Sequence, residues 1–154
     1  MINRLQRIKA LRVERAERHF SLQQMKLQTT RQHHQQALQA SQDYCQWRIE
    51  EEQRLFKLCQ GQPIDRKGLE RWQQQVALLR ENEAQLEKEV AEMAEKVELE
   101  LRQLQECQRV LHHARQQQEK FNELGRQEQE AIRVQNEYQE EREQEEFHRQ
   151  QERV

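Results

Sequence analysis

The chain has 154 residues, of which 35 % are charged and 34 % hydrophobic, with 30 Gln, three Gly and a single Pro. That mix favours long helices over a globular core, and a formal net charge of −2 argues against a general polyanion binder. No apolar run approaches the ~20 residues of a membrane span, Val76-Ala-Leu-Leu79 being typical, and the N-terminus lacks the apolar stretch of a secretory signal.

Charge is unevenly placed. Residues 1–18 carry six Lys/Arg against Glu14 and Glu17, whereas residues 125–154 carry five Arg against nine Glu. Low hydrophobicity also fits a disordered chain, so periodicity has to decide. Residues 1–60 are predicted to form a first helix. Val13, Ala16, Phe20, Leu27, Ala37, Tyr44, Leu55 and Leu58 fit one register, which Gln23, Thr30, His34, Ser41, Arg48 and Glu51 interrupt. Near the start, Ile2, Leu5, Ile8 and Leu11 recur every third residue, so the apolar stripe is expected to drift around the helix. Gly61 and Pro63 stop this helix, residues 61–68 form a turn, and Asp65 is the expected N-cap of the next.

The second helix carries a clear heptad over residues 69–124. Position a falls on Leu69, Val76, Glu83, Val90, Val97, Leu104, Leu111 and Gln118. Position d falls on Trp72, Leu79, Leu86, Met93, Glu100, Cys107, Ala114 and Phe121; thirteen of the sixteen are apolar. Disorder does not produce such regularity, and a stripe of this kind seeks a partner helix. The seam is expected to end near Phe121 to Leu124. If the first helix folds back about the turn, residue 2 lies opposite roughly residue 124. The seam thus stops where its partner runs out, which favours an intramolecular hairpin, expected to be a monomer, over a parallel homodimer. The predicted fold is all-α: a two-helix antiparallel coiled-coil hairpin forming a single domain, with residues 125–154 as an unpaired Glu/Gln-rich helical extension.

Little in the chain suggests chemistry. His33-His34 and His112-His113 fall ~28 Å apart in the hairpin register and cannot share a metal. His19 lies opposite Cys107, but two ligands make no structural zinc site. Cys45 and Cys59 are ~21 Å apart on one helix, beyond the reach of a disulfide. With Cys107 they make an odd count that fits a reducing cytosol. No phosphate-binding Gly loop, nucleophile elbow or HExxH motif is present. The expectation is therefore a non-enzyme with no cofactor, no metal and no small-molecule substrate. The basic N-terminal stripe reads as a solvated flank or a protein-binding face rather than a nucleic-acid site. Tyr44, Trp47, Phe56 and Trp72 gather near the turn. Trp47 and Phe56 fall outside the register, so they are either covered by a drifting seam or exposed for a partner.

Four stretches carry a family resemblance: Arg4-Leu-Gln-Arg-Ile-Lys-Ala-Leu-Arg-Val-Glu-Arg-Ala-Glu17, Ser41-Gln-Asp-Tyr-Cys-Gln-Trp-Arg-Ile-Glu-Glu-Glu-Gln-Arg-Leu-Phe56, Leu69-Glu-Arg-Trp72 with Arg80-Glu-Asn-Glu83, and Tyr138-Gln-Glu-Glu-Arg-Glu-Gln-Glu-Glu-Phe147. Together they resemble the YscO family of type III secretion injectisomes. The resemblance implies a helical hairpin similar to the flagellar protein FliJ and to the gamma stalk of rotary ATPases. It implies a stalk that links the secretion ATPase hexamer to the cytoplasmic ring of the export gate and promotes ATPase activity. It also implies handling of secretion chaperones, and export of some members. Location is then cytoplasmic, peripheral to the inner-membrane apparatus and without membrane insertion. By that analogy Arg4, Arg7, Arg12 and Arg15 would meet the ATPase, and Tyr44, Trp47, Arg48, Phe56 and Trp72 the export gate or a chaperone. The competing readings are a chaperone escort and a passive dimeric coiled coil.

Overall fold

The computed structural model describes residues 1–61, 63 and 65–153. Gln62 and Ile64 of the expected turn, and Val154 at the end of the extension, lie outside the described residues. The described residues form two helices, α1 (Ile2–Cys59) and α2 (Arg66–Glu152). The antiparallel helical hairpin expected from the heptads is what the structure shows. α1 closes at its C-terminus with Gln60 N–H donating to the Lys57 carbonyl (3.3 Å). α2 opens on Asp65, whose Oδ1 accepts the Gly68 amide at 2.8 Å, so Asp65 is the N-cap. Gly68 lies inside the first turn of α2, and the bond to Asp65 satisfies one of the amides that a helix start leaves orphaned.

Contacts group the chain into two compact units. The terminal unit comprises Met1–Phe20 and Cys107–Val154, and the turn-bearing unit Ser21–Glu106.

In the terminal unit, Val13, Ala16 and Leu111 are buried, each at most 7 % exposed, with Phe20 and Ala114 packed on them. The pairing ends at Gly125, which is buried beside Ile2 and Gln6. A side chain there would collide with Gln6, whose Nε2 donates to the Phe121 carbonyl at 3.3 Å. Beyond Gly125 every described residue is exposed. The helix there rests on local pairs such as Arg133–Glu130.

The expectation of a drifting stripe at the start of α1 is corrected. The covered positions Ile2, Gln6, Lys9 and Val13 are spaced alternately by four and three residues, with Ala10 half-buried beside them, while Leu5, Ile8 and Leu11 are exposed. The seam follows the geometry of its partner rather than the apolar side chains. Lys9 is accommodated there by its stem, with its ammonium 5.0 Å from the centre of the Phe121 ring.

In the turn-bearing unit the same alternation runs through Gln23, Leu27, Thr30, His34, Ala37, Ser41, Tyr44, Arg48, Glu51 and Leu55. Among its described residues Leu27 is the one buried hydrophobic side chain, a burial that contributes roughly 1.5–3 kcal/mol. The polar interruptions of the α1 heptad therefore lie in the seam, and two meet the polar interruptions of α2. Gln23 Nε2 donates to Glu100 twice, to the carbonyl at 3.1 Å and to Oε2 at 2.7 Å. Arg48 is ion-paired with Glu83. Leu58 and Leu69 are exposed against expectation, whereas Leu55, Cys59 and Trp72 near them are half-buried.

Candidate interaction surfaces

The expected basic surface divides. Arg12 and Arg15 line a groove of about 410 Å³ in the terminal unit, together with Lys9, His19, Val110 and His113. Ala16 and Ala114 form part of its apolar lining. Arg4 and Arg7 are exposed and do not line it. The groove arises because the facing residues Ala16 and Ala114 are small and the flanking ones long. No acidic residue lines it, so its field is positive and suits an anionic, partly apolar occupant. Sequence reasoning named the arginines, weighed His113 only as a metal ligand, and missed Val110 and the groove itself. The signal was available: Val110 and His113 flank the seam residue Leu111 in the same helical stretch.

The aromatic group near the turn also divides. Tyr44 is half-buried and its hydroxyl donates to the Leu79 carbonyl at 3.1 Å. Its ring supports Trp47, with centroids 5.5 Å apart and planes at 47°. Trp47 and Phe56 are 49 % and 52 % exposed, which settles that the seam does not cover them. Phe56 lies nine residues beyond Trp47, about 13.5 Å of helix rise away. Trp72 is half-buried, with its indole N–H enclosed and unbonded.

Arg48 is held inside a charged cluster rather than presented outward. Glu52 meets Arg48 and Arg80, each at 3.1 Å, and Glu83 takes the second contact from Arg48. Burial weighs against charge on Arg48, but hydrogen bonds to Glu52 and Cys45 and the charges of Glu83 and Glu52 outweigh it, so its pKa is raised. The Arg80 hydrogen bond holds Glu52 below the ordinary carboxylate range, reinforced by Arg48 against a smaller opposing effect of burial.

Among the described residues no group of three or more His, Cys, Asp or Glu is placed to hold a metal ion, and no helix is long and apolar enough to cross a membrane. What remains is surface: a cationic groove in one unit and a supported, exposed indole in the other. Such features define a coiled-coil helical hairpin with two exposed surfaces of different chemistry. Residues 2–150 match the family model described as "Type III secretion protein YscO", and the chain belongs to that family. It is 50 % identical over 130 residues to the Yop proteins translocation protein O of Yersinia pseudotuberculosis serotype I (strain IP32953), covering 84 % of each chain. Its fold is similar to the crystal structure of type III secretion protein YscO from Vibrio parahaemolyticus. The TM-score is 0.89 at 39 % identity, over 96 % of this chain and 92 % of that one. The family is one of type III secretion components.

Proposed function

We propose that this protein is the stalk-like accessory component that couples the secretion ATPase hexamer to the cytoplasmic ring of the export gate and promotes ATPase activity. The observation that carries the reading is the presence of two exposed surfaces of different chemistry, one in each unit. The cationic groove edge with Arg12 and Arg15 suits an acidic surface of the ATPase, with Arg4 and Arg7 adding long-range attraction. Exposed Trp47, braced by Tyr44, is a rigid aromatic anchor of the kind that dominates protein interfaces, and Phe56 extends that surface. Arg48 and Trp72 act behind it by fixing the seam. The protein works at the cytoplasmic face of the inner-membrane apparatus, peripheral to the bilayer.

The test is stimulation of the cognate secretion ATPase by the purified protein. Arg12→Glu with Arg15→Glu lowers that stimulation, most at low salt. Trp47→Ala with Phe56→Ala leaves stimulation intact and weakens capture of the export-gate ring. An ATPase indifferent to the wild-type protein rejects the reading. Loss of binding to a secretion chaperone, with gate binding unchanged, moves the aromatic surface to the chaperone-escort role.

A further inference from the structure

The intramolecular seam ends at Gly125, yet apolar side chains continue along α2 on a neighbouring face. Val110, Leu124, Val134 and Tyr138 are all exposed large hydrophobics. Residues 110, 117, 124, 131 and 138 recur every seven positions, one place before the seam residues 111, 118 and 125. They define a second stripe at coiled-coil spacing, a helical turn's breadth away from the first. Leu5 and Ile8 of α1, exposed as well, lie one heptad before Arg12 and Arg15 and extend the same side of the terminal unit.

The second stripe has two properties together. It is symmetric about Leu124: reversing the helix there lays Val110 on Tyr138 and Gln117 on Ala131, with Leu124 meeting its own copy. It is also polarised in charge. On the near side of Leu124 it borders the groove bearing Arg12 and Arg15, neither of which has an acidic partner among the described residues. On the far side Ala131, Val134 and Tyr138 form one face that includes Glu130, within an extension of nine Glu against five Arg. A stripe that is self-complementary in apolar spacing and opposite in charge across its midpoint is what an isologous two-fold contact requires.

We infer that this face is a self-association surface, on which two copies pack antiparallel about a dyad at Leu124 and the extension of each fills the cationic groove of the other. The reversed register sets Glu137 of the second copy level with Leu111 and so beside Arg15, and Glu130, which would exchange its Arg133 partner, level with Gln118, about one helical turn from Arg12. The closed hairpin seam takes no part, so the association is compatible with a folded monomer at low concentration. Few apolar side chains contribute, which places the contact at the weak end of specific interfaces, and its charge pairs make it salt-sensitive. Self-association covers the surface assigned above to the ATPase, so the two partners compete for it.

The experiment is sedimentation equilibrium of the purified full chain, from low to several hundred micromolar, at low and at high salt. A monomer–dimer equilibrium weakened by salt is expected. Val134→Asp with Tyr138→Asp raises the dissociation constant by more than about tenfold while helicity by circular dichroism is retained, since both residues are exposed. Arg12→Glu with Arg15→Glu, and separately Glu130→Lys with Glu137→Lys, each abolish self-association, and mixing the two variants restores a heterodimer. A wild-type chain that stays monomeric throughout at low salt overturns the inference. So does a dimer indifferent to the changes at 134 and 138, or a pair of charge variants that fails to associate. None of these measurements contains the ATPase, so they fail or succeed independently of the proposed function.

Discussion

Arg48 of α1 is ion-paired across the seam with Glu83 of α2, and both side chains are largely enclosed, 15 % and 17 % exposed. Each interrupts the apolar heptad of its own helix, and each is the other's partner. Removing one alone leaves the remaining charge in a partly desolvated seam. Arg48→Met and Glu83→Leu singly are therefore expected to lower the thermal midpoint, and the double variant to recover much of the loss. The exchange Arg48→Glu with Glu83→Arg should also recover it. Midpoints from circular dichroism check this, and strictly additive losses would contradict it.

The same cluster gives a pH dependence. Glu52 titrates below its ordinary value of 4.5 because Arg80 and Arg48 hydrogen-bond its charged form. A carboxyl with a depressed folded pKa stabilises the fold above its unfolded pKa, and that stabilisation disappears as pH falls through the folded value. Acidification from about pH 5 to about pH 3 should lower the melting temperature more in the wild type than in Glu52→Gln. Tryptophan fluorescence reports the loss in the turn-bearing unit, which holds both Trp47 and Trp72. Above about pH 6 this group contributes no slope.

Leu27 is 4 % exposed, whereas Leu22, five residues earlier on the same helix, is 64 % exposed. Leu27→Ala should destabilise by roughly 2–5 kcal/mol and Leu22→Ala by no more than about 0.5 kcal/mol. Urea denaturation of the two variants compares them directly.

Gly125 sets a coupling that can be measured. Replacing it with Ala gains roughly 1 kcal/mol of helix propensity. The new Cβ overlaps the present position of Gln6 Nε2, so Gln6 has to swing aside and lose its bond to the Phe121 carbonyl. That bond is worth about 0.5–1.5 kcal/mol. Gly125→Ala should be near neutral in the wild type and stabilising by about 1 kcal/mol in a Gln6→Ala background. Equal effects in both backgrounds would show that the two residues are not coupled.

The α2 seam was legible because its apolar residues fall on the positions that pair, and the hairpin followed from where that pattern stops. The α1 seam was legible only in part. Gln23 and Arg48 looked like faults because the side chains that satisfy them, Glu100 and Glu83, lie far along the chain. Leu5, Ile8 and Leu11 misled in the opposite sense, since an apolar side chain need not face its nearest helix. Asp65 was readable as a cap from local chemistry alone. Gly125 was not readable as a seam residue, because its role is to admit Gln6 and it has no side chain to signal that. The groove beside Arg12 and Arg15 depends on small residues meeting across two helices, which no single helical stretch displays.

Among the described residues only Val13, Ala16, Leu27 and Leu111 are buried hydrophobics, and polar pairs such as Gln23–Glu100 and Arg48–Glu83 cross the seam. Denaturation therefore uncovers little fresh hydrocarbon, and the heat-capacity increment per residue should be small. The stability curve is correspondingly shallow, and melting is gradual, beginning at frayed arms rather than in one abrupt collapse. Such a chain holds its form by many weak local commitments and gives it up without a steep barrier.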